Sequence, residues 1–250
     1  MTDDDLRKTD LLGLDEEFLN VDPLEQNYKD FVAAEAIRES LEKHHTALLV
    51  IDLQYLDAAE GYGVFADTGK SDVPREAQEY YFQRLRQVVL PNVRRLQDTF
   101  RALGLEVIHI RIQSLTRDGR DRSPGHKRLG LHAAPGSKEA EILPEVAPQG
   151  DEIVINKTAS GVFNASHIEY LLRNMGITGL FVCGVYTNEC ISTTVRDASD
   201  RGFYTTLIRD GCATVTPELH NATIRTLKNR YCRVLTADEA VKEVRRIAAV

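Results

Sequence analysis

The chain has no tryptophan, only two methionines, and four cysteines among 250 residues. It has no apolar run near the roughly 18 residues that suggest a membrane span, so neither a helical span nor a membrane partner is expected. None of the four cysteines (Cys183, Cys190, Cys212 and Cys232) forms a C-x-x-C pair. The start, Met1-Thr2-Asp3-Asp4-Asp5, lacks the basic-then-apolar layout of a secretory leader. A cytoplasmic location without a disulfide framework is therefore expected. An excess of basic charge is missing too. The net charge is −7, and residues 1–45 hold 13 acidic and 5 basic side chains. The rest is near neutral, a poor surface for phosphates, so nucleic acid is not an expected partner.

Two regions can be separated. Residues 1–45 read as an acidic N-terminal arm, ending at about Pro23, followed by a helix over 24–43. Residues 46–250 read as one domain. In that domain, apolar runs alternate with helical segments. Strands are predicted at Thr46–Ile51, Leu105–Ile110, Glu152–Ile155, Gly179–Gly184, Phe203–Ile208 and Arg233–Leu235. A long helix is expected over 75–102, kinked or broken at Pro91. Further helices are expected over 165–175, from Cys190 to Arg201, over 217–229, and from Ala237 onward. Continuous apolar strands separated by helices predict an α/β fold, a doubly wound six-stranded parallel sheet with helices on both faces. Such sheets gather their chemistry at the carboxyl ends of strands.

Three reactive residue types fall at such ends. Asp52 follows the first strand, Lys157 the third and Cys190 the fourth. After Cys190, Ile191, Thr194, Val195 and Ala198 recur at helical spacing, which puts the thiol on the first turn of a helix. Free N–H groups and the positive end of the helix dipole are expected to favour a thiolate there. A carboxylate, an amine and a thiol together can carry out acyl transfer. Cys183 and Cys232 read as small buried hydrophobes, and Cys212 as a loop residue after Asp210-Gly211.

Val50-Ile51-Asp52-Leu53-Gln54, Asn156-Lys157-x-x-x-Gly161-Val162-Phe163 and Gly184-Val185-Tyr186-Thr187-x-x-Cys190 resemble the three signature segments of the isochorismatase-like cysteine hydrolases. The resemblance covers about residues 46–240 and extends to Pro135–Ile142 and Thr194–Ala198. It implies a catalytic triad of Asp52, Lys157 and Cys190. It also implies a non-proline cis peptide at Val185–Tyr186, and an oxyanion hole made by the N–H groups of Tyr186 and Cys190. The implied sheet order is 3-2-1-4-5-6. No cofactor is implied, and a homodimer or homotetramer is expected.

Departures from the family pattern narrow the activity. Nicotinamidases carry a metal-binding Asp-x-His segment after strand two. Here Arg111-Ile112-Gln113-Ser114-Leu115-Thr116-Arg117 has no histidine, and His126 and His132 lack an acidic ligand at matching spacing. No metal is expected. Isochorismatases proper lack the cysteine. The implied activity is hydrolysis of the C–N bond of a small amide, a carbamoyl or ureide compound such as biuret, triuret or ureidoacrylate. The alternatives are an isochorismatase-type or ester hydrolase, or a non-catalytic binding member of the fold. Many members read Asp-x-Gln-x-Asp-Phe, whereas this chain continues Asp52-Leu53-Gln54-Tyr55-Leu56-Asp57-Ala58. Nearness in sequence to the triad nominates Gln54, Tyr55, Phe163, Asn164, Tyr186 and Thr187 as substrate contacts, with Phe163 and Tyr186 flanking a flat amide. Arg111 is the candidate for an anionic group, and the basic stretch over 117–128 is a candidate lid, subunit contact or solvated loop.

Overall fold

The computed structural model describes residues 34–66 and 72–248. The acidic arm and the first part of the helix expected over 24–43 lie outside the described residues. The rest of that helix is α1 (Ala34–Glu42).

Six parallel strands form one sheet of order β3-β2-β1-β4-β5-β6. They are β1 (Thr46–Ile51), β2 (Glu106–Ile112), β3 (Ile153–Lys157), β4 (Gly179–Val185), β5 (Tyr204–Ala213) and β6 (Arg233–Leu235). The two central strands, β1 and β4, are buried along their whole length. Their uninterrupted apolar sequences follow from cover on both faces. The order changes direction between β1 and β4, so the carboxyl ends of these neighbours open the crevice typical of such sheets.

The helices are α2 (Tyr55–Ala58), α3 (Arg75–Arg84), α4 (Leu90–Ala102), α5 (Pro124–Arg128), α6 (Ile168–Asn174), α7 (Ser192–Asp200), α8 (Pro217–Leu227) and α9 (Ala237–Ala248). Helices α4, α9 and α1 pack together, and α7 packs with α8. The long segment expected over 75–102 is helical, but Leu85–Val89 forms a π-helical turn. Pro91 has no N–H, and its ring crowds the carbonyl four residues back. The widened turn ahead of Pro91 is where the helix adjusts to it.

Four strands run past their expected ends: β2 to Ile112, β3 to Lys157, β4 to Val185 and β5 to Ala213. Lys157 is the last residue of β3 rather than a residue beyond it. Strand β5 continues through Asp210-Gly211-Cys212, where a loop was expected. Its register against β4 shifts between Val182 and Gly184, which lets the extra residues bulge. The Asp210 carboxylate is held there by the Ala237 N–H at 2.7 Å and by Asn92 Nδ2 at 3.1 Å. Cys212 is thus a buried strand residue like Cys183, and Cys232 is buried just ahead of β6.

Candidate active site

Strand β1 ends abruptly. Asp52 has φ 55°, in the left-handed region, which turns the chain and directs the following residues across the top of the sheet. Its N–H still donates to Ile110 O at 2.9 Å, so the turn is anchored to β2. Gly184 brings β4 up against this bend. Its φ is 124°, and a Cβ placed there would lie 1.9 Å from Ile51 O. Only glycine allows that approach.

Beyond Gly184, the Val185–Tyr186 peptide bond is cis. Thr187–Ile191 then forms a single π-helical turn that leads directly into α7. Cys190 lies on that turn. The Tyr186 carbonyl accepts the N–H groups of Glu189 (3.0 Å) and Ile191 (3.2 Å), closing the turn.

The three side chains nominated from strand ends meet here. Lys157 Nζ lies 2.8 Å from Asp52 Oδ2, 3.4 Å from Cys190 Sγ and 3.0 Å from Ala159 O. The ammonium thus contacts a carboxylate, a thiol and a main-chain carbonyl at once. Asp52 and Cys190 are near enough that each bears on the protonation of the other. The trio is deeply buried, with relative exposures of 1% for Asp52, 0% for Lys157 and 4% for Cys190.

Burial decides the protonation states. It pulls Lys157 down, but Asp52 and Cys190 beside it outweigh that, and the amine is held above its ordinary range as an ammonium. Burial raises Asp52 and the Lys157 charge opposes it, leaving a carboxylate more basic than usual. Cys190 is pushed well above the ordinary thiol range by burial, against Lys157 and reinforced by Asp52 and Asp57. Desolvation thus opposes the thiolate that a helix start favours, and it favours a proton on the sulfur beside a more basic Asp52.

The other nominated residues divide. Gln54 is fully engaged within the protein. Its Oε1 accepts the Ile112 N–H at 2.6 Å, and its Nε2 donates to Ile112 O and Glu139 O, both at 2.8 Å. It clamps the end of β1 to the end of β2 and has no spare donor for a substrate. Arg111 donates to Asn156 Oδ1 at 2.8 Å and Ala140 O at 3.0 Å, so it braces the sheet edge rather than standing free for an anion. The Thr187 hydroxyl pairs with His220 Nδ1 at 2.9 Å. That ring in turn contacts buried Arg84 at 3.1 Å. The Phe163 ring packs in the core against Phe203, at 5.6 Å between centroids, with the Arg201 guanidinium over it, so it does not pair with Tyr186 across a substrate. Asn164 is exposed. Tyr55 is half-buried, with Lys138 Nζ 3.9 Å from its ring centre. Tyr186 stands in an aromatic wall with Tyr81, 5.2 Å away, and Phe65, 6.5 Å away.

In the basic stretch over 117–128, Arg122 donates to Gly119 O and Leu131 O, and Arg120 pairs with Asp118. His126 is buried, and burial with the Lys157 and Arg122 charges lowers it to about 4, a neutral imidazole.

Sequence reasoning did not single out Asp57, Tyr81 or Glu189. Asp57 lies in α2, directly after the β1 bend, and is 3% exposed. Its main-chain carbonyl accepts the hydroxyls of Tyr81 (2.7 Å) and Tyr186 (3.0 Å). Its side-chain Oδ2 is buried and has no partner among the described residues. Burial and the nearby Asp52 raise its carboxyl well above the usual range. Glu189 is exposed as a residue, and partial desolvation of its carboxyl, with the nearby Asp52, raises it. One signal did point to Asp57. Counting the Asp-x-Gln-x-Asp-Phe pattern from Asp52 puts an acid at the position of the phenylalanine. Among the described residues, no group of three His, Cys, Asp or Glu side chains could hold a metal ion, and no helix is long and apolar enough to cross a membrane.

The isochorismatase domain model matches residues 46–239. A protein of Arabidopsis thaliana described as a probable inactive nicotinamidase is 30% identical over 207 residues, covering 80% of this chain and 96% of that protein. A ureidoacrylate amidohydrolase of Acinetobacter baylyi is 27% identical over 209 residues, covering 76% of this chain and 80% of its own. A crystal structure of a cysteine hydrolase from Pseudomonas syringae superposes with a TM-score of 0.66 at 21% identity, over 82% of this chain and 94% of the other. At that identity the likeness concerns the fold alone.

Proposed function

Because the chain belongs to the isochorismatase family, we propose that it is a cysteine-dependent amidohydrolase of small carbamoyl or ureide compounds, working through a thioester. It acts on carbon–nitrogen bonds other than peptide bonds, as the ureidoacrylate amidohydrolase among its relatives does. The observation that carries the mechanism is the contact of one ammonium with both a carboxylate and a thiol, at 2.8 and 3.4 Å.

The steps follow from the protonation states. Asp52 takes the proton of Cys190 as the sulfur attacks the substrate carbonyl carbon. Lys157 balances the charge that forms on the sulfur. The carbonyl oxygen becomes an oxyanion received by the N–H groups of Tyr186 and Cys190, each such donor being worth about 3 kcal/mol of barrier. The C–N bond breaks, and the leaving nitrogen takes the proton from Asp52. A water molecule then gives Asp52 a proton while its oxygen attacks the thioester. The C–S bond breaks and the sulfur recovers its proton. The cycle returns every group to its starting state and draws on no cofactor. A homodimer or homotetramer is the expected assembly.

Ammonia release from biuret, triuret, ureidoacrylate, N-carbamoylsarcosine and nicotinamide tests the reading, with mass spectrometry for an acyl adduct on Cys190. Cys190→Ala is expected to lower turnover by about 10⁴-fold or more while leaving the fold intact. A variant that turns over at the wild-type rate ends the proposal.

A further inference from the structure

The mechanism leaves Asp57 unused, a buried acid with an unpaired oxygen. Asp57 comes from a different element than Asp52, Lys157 and Cys190, on the short helix α2 that follows the β1 bend. Two tyrosine hydroxyls grip its main-chain carbonyl and fix its position. One of them belongs to Tyr186, which begins the turn carrying Cys190. Asp57 is close enough that its charge bears on Asp52, Lys157 and Cys190 alike. Yet its Oδ2 is sealed from solvent without a partner among the described residues. An unpaired buried oxygen of this kind costs about 1–3 kcal/mol, so its retention calls for a ligand that pairs with it.

We infer that Asp57 selects the substrate by hydrogen-bonding a second amide or carbamoyl group, and that it disfavours substrates with a carboxylate at that place. This rests on the amidohydrolase reading of the same site. As a neutral acid, Asp57 offers one O–H donor and one acceptor, which match the C=O and N–H of an amide. A carboxylate can use the donor only, and it sets an oxygen against the remaining acceptor. As an anion, Asp57 offers acceptors alone, which match N–H groups and repel a carboxylate. The anion prefers the amide outright, and the neutral acid satisfies both its donor and its acceptor only with the amide. The surrounding charges point the same way. Lys157 is already committed to Asp52 and Cys190, Glu189 adds a further acid, and Arg111, the cation nominated for an anionic substrate, is held by Asn156 and Ala140.

The experiment has two arms. The first compares alkylation of Cys190 by iodoacetamide and by iodoacetate, with glutathione as the unselective reference thiol. Each reaction forms an S–CH₂ bond and expels iodide, so hydrolysis plays no part. The native protein is expected to favour the amide reagent about tenfold more than glutathione does. Asp57→Asn keeps the shape and adds an N–H donor for a carboxylate, so its ratio is expected to fall towards that of glutathione. The second arm compares kcat/KM on ureidoacetamide and ureidoacetate, which differ only at the far group. About a tenfold preference for the amide is expected, lost in Asp57→Asn. A native ratio equal to that of glutathione, a ratio unmoved by Asp57→Asn, or no alkylation of Cys190 by either reagent overturns the inference. The native ratio decides even if the variant does not fold. Absence of turnover on both ureides, with the alkylation ratio intact, counts against the amidohydrolase reading and leaves the selection by Asp57 standing.

Discussion

Two inward-facing groups of acids in this molecule have opposite chemistry. Glu152, just ahead of β3, accepts Arg101 at 2.6 and 2.9 Å, His109 at 3.0 Å and the Gln149 N–H at 2.9 Å. Burial pushes it up, but those bonds carry its carboxyl down to about 2. Asp52 and Asp57, at the other end of the strands, keep oxygens without well-aligned hydrogen bonds, and burial raises both. A carboxylate whose lone pairs are all used is a fixed anion that holds structure. A carboxylate left partly open in a dry site can accept a proton or a ligand. Burial alone does not separate the two roles; the number of donors supplied does.

The largest effect on this contrast is expected from Lys157→Met, which keeps the length of the side chain and removes the one charge shared by Asp52 and Cys190. Turnover is expected to fall about 10³-fold. The fold should survive, because Asp52 can take up a proton and so avoid standing as a lone buried anion. Steady-state rates on the preferred amide, with circular dichroism for the fold, check this. Activity within tenfold of wild type means that the ammonium is structural, as Arg101 is beside Glu152.

Next in size is Gly184→Ala. The added methyl would sit 1.9 Å from Ile51 O, where only backbone can yield. A loss of about 3 kcal/mol in denaturant unfolding is expected, and the β1 bend at Asp52 should shift with it. A loss below about 1 kcal/mol would show that β4 tolerates a wider separation from β1 than the geometry implies.

These positions differ in how far the sequence could reveal them. The strands were readable because burial on both faces demands unbroken apolar runs. Asp52, Lys157 and Cys190 were readable because a doubly wound sheet collects chemistry at strand ends. Side-chain direction was not readable. Gln54 and Thr187 sit close to Asp52 and Cys190 in sequence, yet one clamps β2 and the other pairs with His220. Sequence neighbours on a turn point different ways, and only the packing says which way. The burial of Cys190 was not readable for a similar reason. A helix start is visible in sequence, whereas desolvation depends on residues brought in from distant elements. The β5 bulge was missed because Asp210-Gly211 carries the signature of a turn, and its pairing with Ala237 and Asn92 depends on distant elements.

The smallest effect is expected where the acid is fully paired. Glu152→Gln removes the charge but keeps the shape. Arg101 and Glu152 are partly solvated, with side-chain exposures of 16% and 13%, and water screens their pair, so about 1 kcal/mol of stability is at stake at neutral pH. The sign with pH follows from linkage. The folded carboxyl titrates near 2, below the ordinary value of 4.5. Its contribution is therefore fully present above 4.5 and is lost as pH falls towards 2. Urea unfolding at a series of pH values should show the wild type losing stability over that window and Glu152→Gln losing less. The rate on the preferred amide should stay within twofold of wild type throughout the neutral range. A large change in rate would mean that the two acid groups communicate through β2 and β3, and the division between a fixed anion and an open one would no longer hold.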